Sequence, residues 1–501
     1  MNPSRHTTGC NYGRRLALRI AFGAAQGIFA AGAAAQPALP ATPVGNLGAQ
    51  IVHHADSDTP VQIRQWAAGI LSGSVSREDQ ASFIDGLVSA VRDGGGLDVF
   101  DVRTDPRQPG LLQVAVKAQH GGRRGLLVLA ADPAQPGKLA QAALVPMGDP
   151  ALYADWPRTA VSHAELARLI HATLDRLVGA EDFSGCVTVV DGARTVIDEC
   201  RGLAERRFGI PVDRETKFHV GSIDKMFTAV AIAQLVQAGK LSWQATLGQL
   251  LPEYRGGAAA RRITVWQLLH HTSGLGDFLV PEYFEHRETF VHPADYLDLI
   301  AKQPRLSEPG KQWNYSNAGY MLLGRIIEKV SGDGYADYIR RHVFAPAGMD
   351  ASGFDRPGDL TPKLATGYFH DALFSPAWKA DWLKIPAGGP AGGGYSRSVD
   401  LLRFAKALRE GKLVDAATLA RMFEDEVPAG PGAYAAGFGD RLSHGRHIRG
   451  HAGGIEGTDA NLQIVWGTDA AVALTSNEGP GENWLLAEHI ADLLAAGHAQ
   501  P

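Results

Sequence analysis

The chain has 501 residues, of which 45% are hydrophobic and 20% charged, and its formal net charge is −5. This is the composition of a globular protein that is long enough for two or three domains with sizeable cores. This slightly acidic composition does not resemble the basic footprint of a nucleic-acid binder, so we predict no nucleic-acid partner.

The first 35 residues have the pattern of an export signal. A basic region with Arg14, Arg15 and Arg19 precedes the apolar run IAFGAAQGIFAAGAAA, whose last three alanines form a small-residue cleavage site. The run is shorter and weaker than the ~20 apolar residues of a membrane span. We therefore predict a signal peptide at 1–35, with the Sec and Tat routes both open. The mature protein is predicted to be periplasmic or secreted, without an integral membrane span.

The region after the signal is predicted to form a linker and a small domain. Residues 36–57 are rich in proline and alanine, and we interpret them as a linker. Two helix-like segments, PVQIRQWAAGIL and REDQASFIDGLVSAVRD, are followed by the strand-like runs LDVFDV, LLQVAVKAQ, RGLLVLAAD and LAQAALVPM. Helices followed by strands predict a small α+β domain at 58–155. It carries no chemical motif, and its role and the oligomeric state stay open.

Cys186 and Cys200 flank a predicted hairpin, CVTVVDGARTVIDEC, that turns around Asp191 and Gly192. A three-residue loop would place the cysteines opposite each other, where a disulfide is feasible in an oxidising compartment. A two-residue loop would shift the pairing and separate them. The sequence leaves both alternatives open.

A second domain is predicted at 160–495. It begins with the amphipathic helix SHAELARLIHATLDRLV, the hairpin, an apolar helix and a long helix-and-loop region. The strand-like runs AYAAGFGD, RHIRGH, ANLQIVWG and AAVALTSN and a final helix at about 482–495 complete it. Strands at both ends with helices between them predict one antiparallel sheet that is closed by distant parts of the chain. The fold class is therefore α/β, of the α+β kind.

The apolar helix carries a serine and a lysine at its front edge, in the stretch FHVGSIDKMFTAVAIAQLVQAG. Ser222 and Lys225 share a face if this segment is helical. The following residues are apolar on all sides, which is typical of a buried helix. Burial lowers the pKa of a lysine from about 10.4, and a neutral amine can take the proton of Ser222 and activate it. Alternatively, Ser222 only caps the helix and Lys225 reaches water.

A second pair of polar residues, Tyr315 and Asn317, precedes another predicted helix in EPGKQWNYSNAGYMLLGRIIEKVSG. A phenol can relay a proton, and a side-chain amide can bond both a lysine and a substrate carbonyl. The alternative is that Asn317 is the N-cap of the helix and Tyr315 packs on the surface.

A glycine-rich stretch, RGHAGGIEG, follows a late predicted strand. Beyond His451, the absence of side chains at Gly453 and Gly454 lets a ligand lie against the backbone. Such an edge can supply an amide donor to an oxyanion. The alternative is a β-bulge with a surface histidine.

Together, Ser-x-x-Lys, Tyr-x-Asn and His-x-Gly in this order resemble the motifs of the serine β-lactamase and penicillin-binding-protein superfamily. The similarity is greatest to its branch of class C β-lactamases, DD-peptidases and family VIII esterases. The phrases FSGCVTVVDG, ITVWQLLHHTSGL, FAPAGMDASGF and GGGYSRSVDLLRFAKAL also resemble this branch. The resemblance covers 160–495 and implies a β-lactamase/transpeptidase-like fold, with an antiparallel sheet flanked by helices and an inserted helical region.

The resemblance also implies an acyl-enzyme mechanism. Ser222 would be the nucleophile, Lys225 its proton acceptor, and Tyr315 a proton shuttle to the leaving group and the deacylating water. Which of Lys225 and Tyr315 is the acylation base is disputed in such families. The other implied roles are substrate binding by Asn317, His451 and Gly453, and an oxyanion hole made by the amides of Ser222 and Gly454.

One departure from the family bears on the substrate. The third motif usually has a threonine where this chain has Ala452, and His451 replaces the lysine of the β-lactamase branch. Carboxylate recognition should weaken, which disfavours a dedicated β-lactamase. We predict hydrolysis of an ester or amide, of the carboxylesterase or D-amino-acid peptidase or carboxypeptidase type, with a small molecule or short peptide as substrate. The alternative is a non-turnover acyl-binding sensor or penicillin-binding protein.

Other hydrolytic chemistries lack their motifs. The sequence has no G-x-S-x-G, which disfavours an α/β-hydrolase, and no H-E-x-x-H for a catalytic metal. We predict neither a metal nor a cofactor. The loop PAGGPAGGG at 386–394 lacks the Gly-Lys-Ser/Thr of a phosphate site and is interpreted as the rim of the cleft.

Overall fold

The computed structural model describes residues 37–497, apart from 106–107, 357, 382–388, 431, 480 and 482. The predicted signal peptide lies outside these residues. The described chain divides into two compact units. The first unit contains the residues up to Asp155 together with Phe369–Ala380, and the second contains Trp156–Tyr368 and the residues from Asp381 onward.

The first unit consists of three helices and a four-stranded sheet. The strands are antiparallel and follow chain order, β1-β2-β3-β4. The apolar helix residues pack with the sheet in one core, which Phe374 from the later segment joins. The elements are α1 (Pro43–Ser57), α2 (Pro60–Ile70), α3 (Arg77–Arg92), β1 (Leu97–Asp105), β2 (Gln108–Ala118), β3 (Arg124–Asp132) and β4 (Gln135–Met147).

The predicted linker is wrong for most of its length, because residues 43–57 form helix α1. The side chain of Thr42 caps this helix, and its apolar residues Leu47 and Ile51 are 4% and 0% exposed. One glycine within the helix has a packing reason. A Cβ at Gly45 would lie 1.9 Å from the carbonyl oxygen of Pro40.

The second unit is built on an eight-stranded antiparallel sheet with the order β14-β15-β16-β17-β18-β19-β5-β6. Early strands β5 and β6 join late strands through β19, so the predicted closure by distant parts of the chain is confirmed. The strands are β5 (Gly185–Asp191), β6 (Arg194–Arg201), β14 (Val427–Ala429), β15 (Gly432–Tyr434), β16 (Gly439–Ser443), β17 (Arg446–Ile455), β18 (Thr458–Val465) and β19 (Ala471–Ser476).

Helices cover the central strands of this sheet. Strands β18 and β19 are buried at every position, because α16 packs on both of them and α14 packs on β19 and β5. The helices of this unit are α4 (His163–Gly179), α5 (Asp224–Gln237), α6 (Leu247–Leu250), α7 (Gly257–Ala260), α8 (Val265–Leu269), α9 (Pro281–Glu285), α10 (Leu297–Lys302), α11 (Asn317–Ser331), α12 (Tyr335–Ile339), α13 (Ala345–Ala347), α14 (Ser398–Arg409), α15 (Ala416–Met422) and α16 (Asn483–Ala496).

Short strands and single helical turns complete the described structure. The short strands are β7 (Leu203–Glu205), β8 (Ile210–Pro211), β9 (Phe218–His219), β10 (Gly353–Phe354), β11 (Gly367–His370), β12 (Trp378–Asp381) and β13 (Gly394–Ser396). The 3-10 turns are Pro150–Tyr153, Gly221–Ile223, Arg287–Thr289 and Pro293–Tyr296, and Arg340–Phe344 is a π turn. None of the helices in the described ranges has the length and apolar character that a bilayer crossing requires.

The hairpin of β5 and β6 pairs Cys186 directly with Cys200, and their sulfurs are bonded. The loop has only two residues, since Asp191 pairs with Arg194. A register shift after Val189 inserts one extra residue into β6 and returns the cysteines to opposite positions. The sequence argument that a two-residue loop separates the cysteines is wrong because it did not include this bulge.

Candidate active site

Ser222 and Lys225 meet at the front of helix α5. Ser222 lies in the 3-10 turn Gly221–Ile223, and Lys225 is in the first turn of the helix. The spacing places Lys225 Nζ 3.0 Å from Ser222 Oγ. Lys225 is 0% exposed and Ser222 is 6% exposed, so the alternative that the lysine reaches water is wrong. The predicted burial of α5 on all sides is confirmed, since its residues from Asp224 to Ala233 are all buried.

Two further oxygens orient the amine of Lys225. Nζ lies 2.8 Å from Asn317 Oδ1 and 2.5 Å from the carbonyl oxygen of Ala391. Both oxygens can only accept hydrogen bonds, so they take two N–H groups. The remaining position of the amine faces Ser222 Oγ. In a neutral amine this position holds the lone pair, which can receive the hydroxyl proton.

The environment also makes the neutral amine available. Burial lowers the pKa of Lys225 from 10.5 to about 7, although the carboxylates of Asp277 and Asp224 act in the opposite direction. A shift of this size corresponds to a free-energy cost on the order of 5 kcal/mol for holding the ammonium in the fold. At neutral pH a large share of the molecules therefore carries an uncharged base beside Ser222.

Tyr315 covers the other side of Lys225. Lys225 Nζ lies 4.9 Å from the centroid of its ring, and Tyr315 is 8% exposed rather than on the surface. Burial raises the pKa of Tyr315 well above 10, with the Ser222 hydroxyl acting in the opposite direction. The phenol therefore keeps its proton at neutral pH and can donate it. These two pKa directions favour Lys225 over Tyr315 as the base.

Asn317 is held in one orientation by Asp277. Its Nδ2 donates to Asp277 Oδ2 at 2.9 Å, and its backbone N–H donates to the same oxygen at 3.1 Å. The amide oxygen must then point towards Lys225. The N-cap of α11 is Ser316, whose side chain accepts from the amide of Gly319, so Asn317 is free for this role.

His451 lies on β17 beside these residues, with its ring centroid 6.3 Å from that of Tyr315. It pairs with Leu462 in a regular ladder and is 8% exposed, so it is neither in a bulge nor on the surface. Its Nδ1 donates to the carbonyl oxygen of Ala452 at 2.5 Å, and its Nε2 accepts from Tyr434 Oη at 2.9 Å. Burial and the charge of Lys225 lower the pKa of His451 to about 3. The ring is therefore neutral, and both nitrogens are occupied.

The glycines of β17 allow the strand to approach the nucleophile turn. A Cβ at Gly453 would lie 1.9 Å from the carbonyl oxygen of Val220 and 2.9 Å from the amide nitrogen of Ser222. A Cβ at Gly221 would lie 3.3 Å from the amide nitrogen of Gly454. The two amides predicted to form the oxyanion hole, those of Ser222 and Gly454, thus lie on adjoining backbones.

The loop that was interpreted as the cleft rim contributes directly to the site. Ala391 accepts from Lys225, and Gly394 donates its N–H to Asp224 Oδ2 at 2.6 Å. The interpretation as a rim is therefore incomplete, because the last residues of the loop pack on α5. Sequence reasoning also missed Asp277 and Tyr434. Asp277 follows the phrase ITVWQLLHHTSGL closely, which is the one signal that pointed to its position.

A buried serine and amine on an apolar helix lie beside a tyrosine, an asparagine and a glycine-rich edge strand. This is the arrangement of sites of the β-lactamase and penicillin-binding-protein type. The family model described as Beta-lactamase matches residues 166–496, which is more than half of the chain. The chain therefore belongs to the β-lactamase family, and the predicted family and fold are confirmed.

Several known proteins resemble the chain. PbpX of Bacillus subtilis (strain 168), provisionally assigned as a penicillin-binding protein, is 32% identical over 268 residues, or 52% of this chain and 64% of the relative. Esterase EstB of Burkholderia gladioli is 28% identical over 289 residues, or 55% of this chain and 66% of the relative. In both cases the chain spans slightly under two thirds of the relative's length. The D-amino acid amidase of Ochrobactrum anthropi SV3 superposes with a TM-score of 0.57 at 25% identity, covering 67% of this chain and 98% of that chain.

Proposed function

We propose that this chain is an exported serine hydrolase that cleaves an ester or amide through an acyl-enzyme on Ser222. One observation carries the proposal. The buried amine of Lys225 donates to two carbonyl oxygens, those of Asn317 and Ala391, and directs its remaining position at Ser222 Oγ from 3.0 Å.

The acylation step follows from this arrangement. Ser222 Oγ bonds to the substrate carbonyl carbon as its proton passes to Lys225 Nζ, and the C=O electron pair moves onto the oxygen. The amides of Ser222 and Gly454 donate to that oxyanion. When the electron pair returns, the bond to the leaving group breaks. The leaving group takes a proton from Tyr315, which recovers one from Lys225. In deacylation a water molecule replaces the leaving group and the same transfers run in reverse.

The β17 side of the site supports a substrate group without charge. His451 is neutral with both ring nitrogens bonded, and Ala452 has no hydroxyl. Neither side chain can therefore hold a carboxylate as a lysine and a threonine would. Esters, amides and blocked D-amino-acid derivatives fit this surface, and β-lactam hydrolysis should be weak. Two of the similar proteins, an esterase and a D-amino acid amidase, agree with this substrate class.

A second candidate is an acyl-binding penicillin-binding protein or sensor that does not turn over. The penicillin-binding-protein assignment of PbpX favours it. Both candidates keep Ser222 reactive, so they differ only in the rate at which the acyl group leaves the serine.

A chromogenic p-nitrophenyl ester distinguishes these functions. We expect continuous release of p-nitrophenol, an acyl adduct on Ser222 by intact-mass analysis, and a loss of rate of 10⁴-fold or more, as an order of magnitude, for Ser222→Ala. The control is Ser89→Ala, which removes another buried serine in the first unit. A burst of one equivalent followed by silence would establish the sensor. Wild-type rates for Ser222→Ala would refute acylation at this residue.

Export is supported by the pattern of the first 35 residues and by the bond between Cys186 and Cys200, which requires an oxidising environment. We expect the full-length chain, produced in a bacterial host, to reach the periplasm or medium with a new N-terminus at Gln36. Retention in the cytoplasm with residues 1–35 uncleaved would contradict export.

A further inference from the structure

Asp224 is a buried carboxylate that the acylation steps do not use. It lies between Ser222 and Lys225 in the sequence and is 0% exposed. Its Oδ2 accepts from the amide of Gly394 at 2.6 Å, and its Oδ1 is buried without a hydrogen-bond partner among the described residues. Burial raises the pKa of Asp224 to about 7. An acid in this position is costly, and an uncharged residue would satisfy an apolar helix better.

The residues that Asp224 contacts also hold the base. Three side chains of α5 bond the backbone of residues 390–394. Thr228 Oγ1 donates to the carbonyl oxygen of Pro390 at 2.7 Å, Lys225 donates to that of Ala391 at 2.5 Å, and Asp224 accepts from the amide of Gly394 at 2.6 Å. Together these bonds hold the segment along more than one turn of the helix.

The same segment is tied to the nucleophile turn. The carbonyl of Gly394 accepts from the amide of Val220 at 3.0 Å, next to the turn that carries Ser222. A Cβ at Gly394 would lie 2.6 Å from Asp224 Oδ1, so the carboxylate and this backbone are in close contact. Gly394 therefore connects Asp224 to both the nucleophile turn and the carbonyl partner of the amine.

We propose that Asp224 is a positioning residue for the general base, which holds residues 390–394 on helix α5 and keeps the Ala391 carbonyl on Lys225. With that carbonyl in place, the amine has only one direction left, towards Ser222. The inference deepens the proposed function and rests on Lys225 being the base. The charge of Asp224 also favours the ammonium form of Lys225, and so affects the pH at which the base becomes available.

The other groups around this pair come from separate elements. Among the residues that the structure describes, the carboxylates of Asp277 and Asp224 are the charges that raise the pKa of Lys225. Asp277 is hydrogen-bonded to Asn317 and is unchanged in the variants below. A shift in the acidic limb of the pH–rate profile therefore reports the charge at residue 224. The remaining titratable groups that face the pair are His271 after α8, Tyr315 and Tyr320 at α11, Tyr335 on α12 and His451 on β17.

The test compares Asp224→Asn and Asp224→Ala with the wild type, using kcat and kcat/KM for a p-nitrophenyl ester between pH 5 and pH 10. For Asp224→Ala we expect kcat to fall roughly 10- to 100-fold with KM little changed, because the base is misplaced. The acidic limb of its pH–rate profile should move to lower pH, because the carboxylate charge that favours the ammonium form of Lys225 is lost. Asp224→Asn still offers an oxygen to Gly394, so it should keep most of kcat and show the same displacement of the limb.

The control is Thr228→Val, which removes a hydrogen bond to the same segment without changing its charge and should leave the acid limb in place. Wild-type kcat and an unmoved limb in Asp224→Ala, measured while Ser222→Ala is inactive, would overturn the inference and keep the proposed function. Melting temperatures could also fall in both Asp224→Asn and Thr228→Val while the acidic limbs of their pH–rate profiles stay in place. This result would show that Asp224 has a structural role only, and it would also overturn the inference. Activity in Ser222→Ala would instead overturn the proposed function. If Asp224→Ala does not fold, the limb of Asp224→Asn decides.

Discussion

The two units contain the same kinds of secondary structure but bury different side chains. Each has an antiparallel sheet and an apolar core formed with helices. Among the described residues of the first unit, the buried polar side chains are all uncharged, namely Ser72, Ser89, Gln113 and Ser375. Those of the second unit include the ionisable residues Asp224, Lys225, His270, His271, Asp355, Asp400, Asp440, His451, Asp459 and Glu478.

This difference indicates which unit carries the candidate active site. Burial of an ionisable group costs several kcal/mol unless the group is paired. A buried ionisable group therefore lowers the stability of a fold wherever its interactions do not offset this cost. Lys225 is the clearest case, since none of the described carboxylates is hydrogen-bonded to it and its hydrogen bonds go to neutral oxygens. The burial of Lys225 therefore lowers the stability of the second unit at the front of α5. The described residues of the first unit bury no charged side chain of this kind.

The largest effect should come from Lys225→Met, which replaces the amine by an apolar chain of similar length. We expect kcat/KM to fall on the order of 10³-fold or more, with the fold retained, because Ser222 loses its proton acceptor. The variant should also be more stable at pH 6, by roughly 1–3 kcal/mol after allowance for two carbonyls that lose a donor.

The sign of this stability change depends on pH. Because the fold lowers the pKa of Lys225 to about 7, the cost of holding the ammonium is complete below pH 7 and vanishes as the pH approaches 10.5. The gain of Lys225→Met in urea denaturation should therefore shrink between pH 6 and pH 10. Unchanged rates, or a gain that grows with pH, would contradict the assignment of the buried base.

A smaller effect is expected from Asp277→Ala, which frees the amide of Asn317 to rotate. The amide oxygen would then leave Lys225 in part of the molecules, and we expect kcat/KM to fall roughly 10- to 100-fold. The matched control is Asp56→Ala in the first unit, where a carboxylate also accepts from a backbone amide, that of Leu97. Equal kinetics in the two variants would show that the orientation of Asn317 does not matter.

The smallest effect should come from Ser89→Ala in the first unit. Ser89 Oγ accepts from the amide of Phe374 at 3.1 Å. Its loss leaves a buried N–H without an acceptor and should lower the free energy of unfolding by about 1–2 kcal/mol, measured by urea denaturation. The values of kcat and KM should stay within about twofold of the wild type at a temperature where both proteins are folded. A marked loss of kcat would mean that the two units do not divide stability and chemistry as described.

Residues in periodic segments could be predicted from the sequence, and isolated loop residues could not. The apolar run behind Ser222 and Lys225 predicts both the buried helix and the shared face, and the structure has both. The positions of Tyr315 and Asn317 could be predicted because the helix at which they lie has a clear apolar stripe. By contrast, Asp277 and Ala391 act through hydrogen bonds with residues 40 or more positions away, which leave no local pattern.

Helix α1 and the hairpin show a second reason for failure. Gly45 weakens the helical pattern of α1, and only the approach of Pro40 explains why a glycine is there. The bulge in β6 is likewise invisible in the alternation of CVTVVDGARTVIDEC. In both places the determining interaction lies outside the segment itself.

The central claim is that the fold lowers the pKa of Lys225 to about 7, so that a large share of the molecules carries an uncharged amine at neutral pH. A titration of the lysine side chains by NMR tests this claim most directly. With ¹³C at the ε-carbon, we predict one lysine signal that titrates near pH 7 and disappears in Lys225→Met. If no lysine signal titrated near pH 7, and that of Lys225 instead titrated near about 10.4, the ordinary value of a lysine, the amine would be an ammonium at neutral pH and could not take the proton of Ser222.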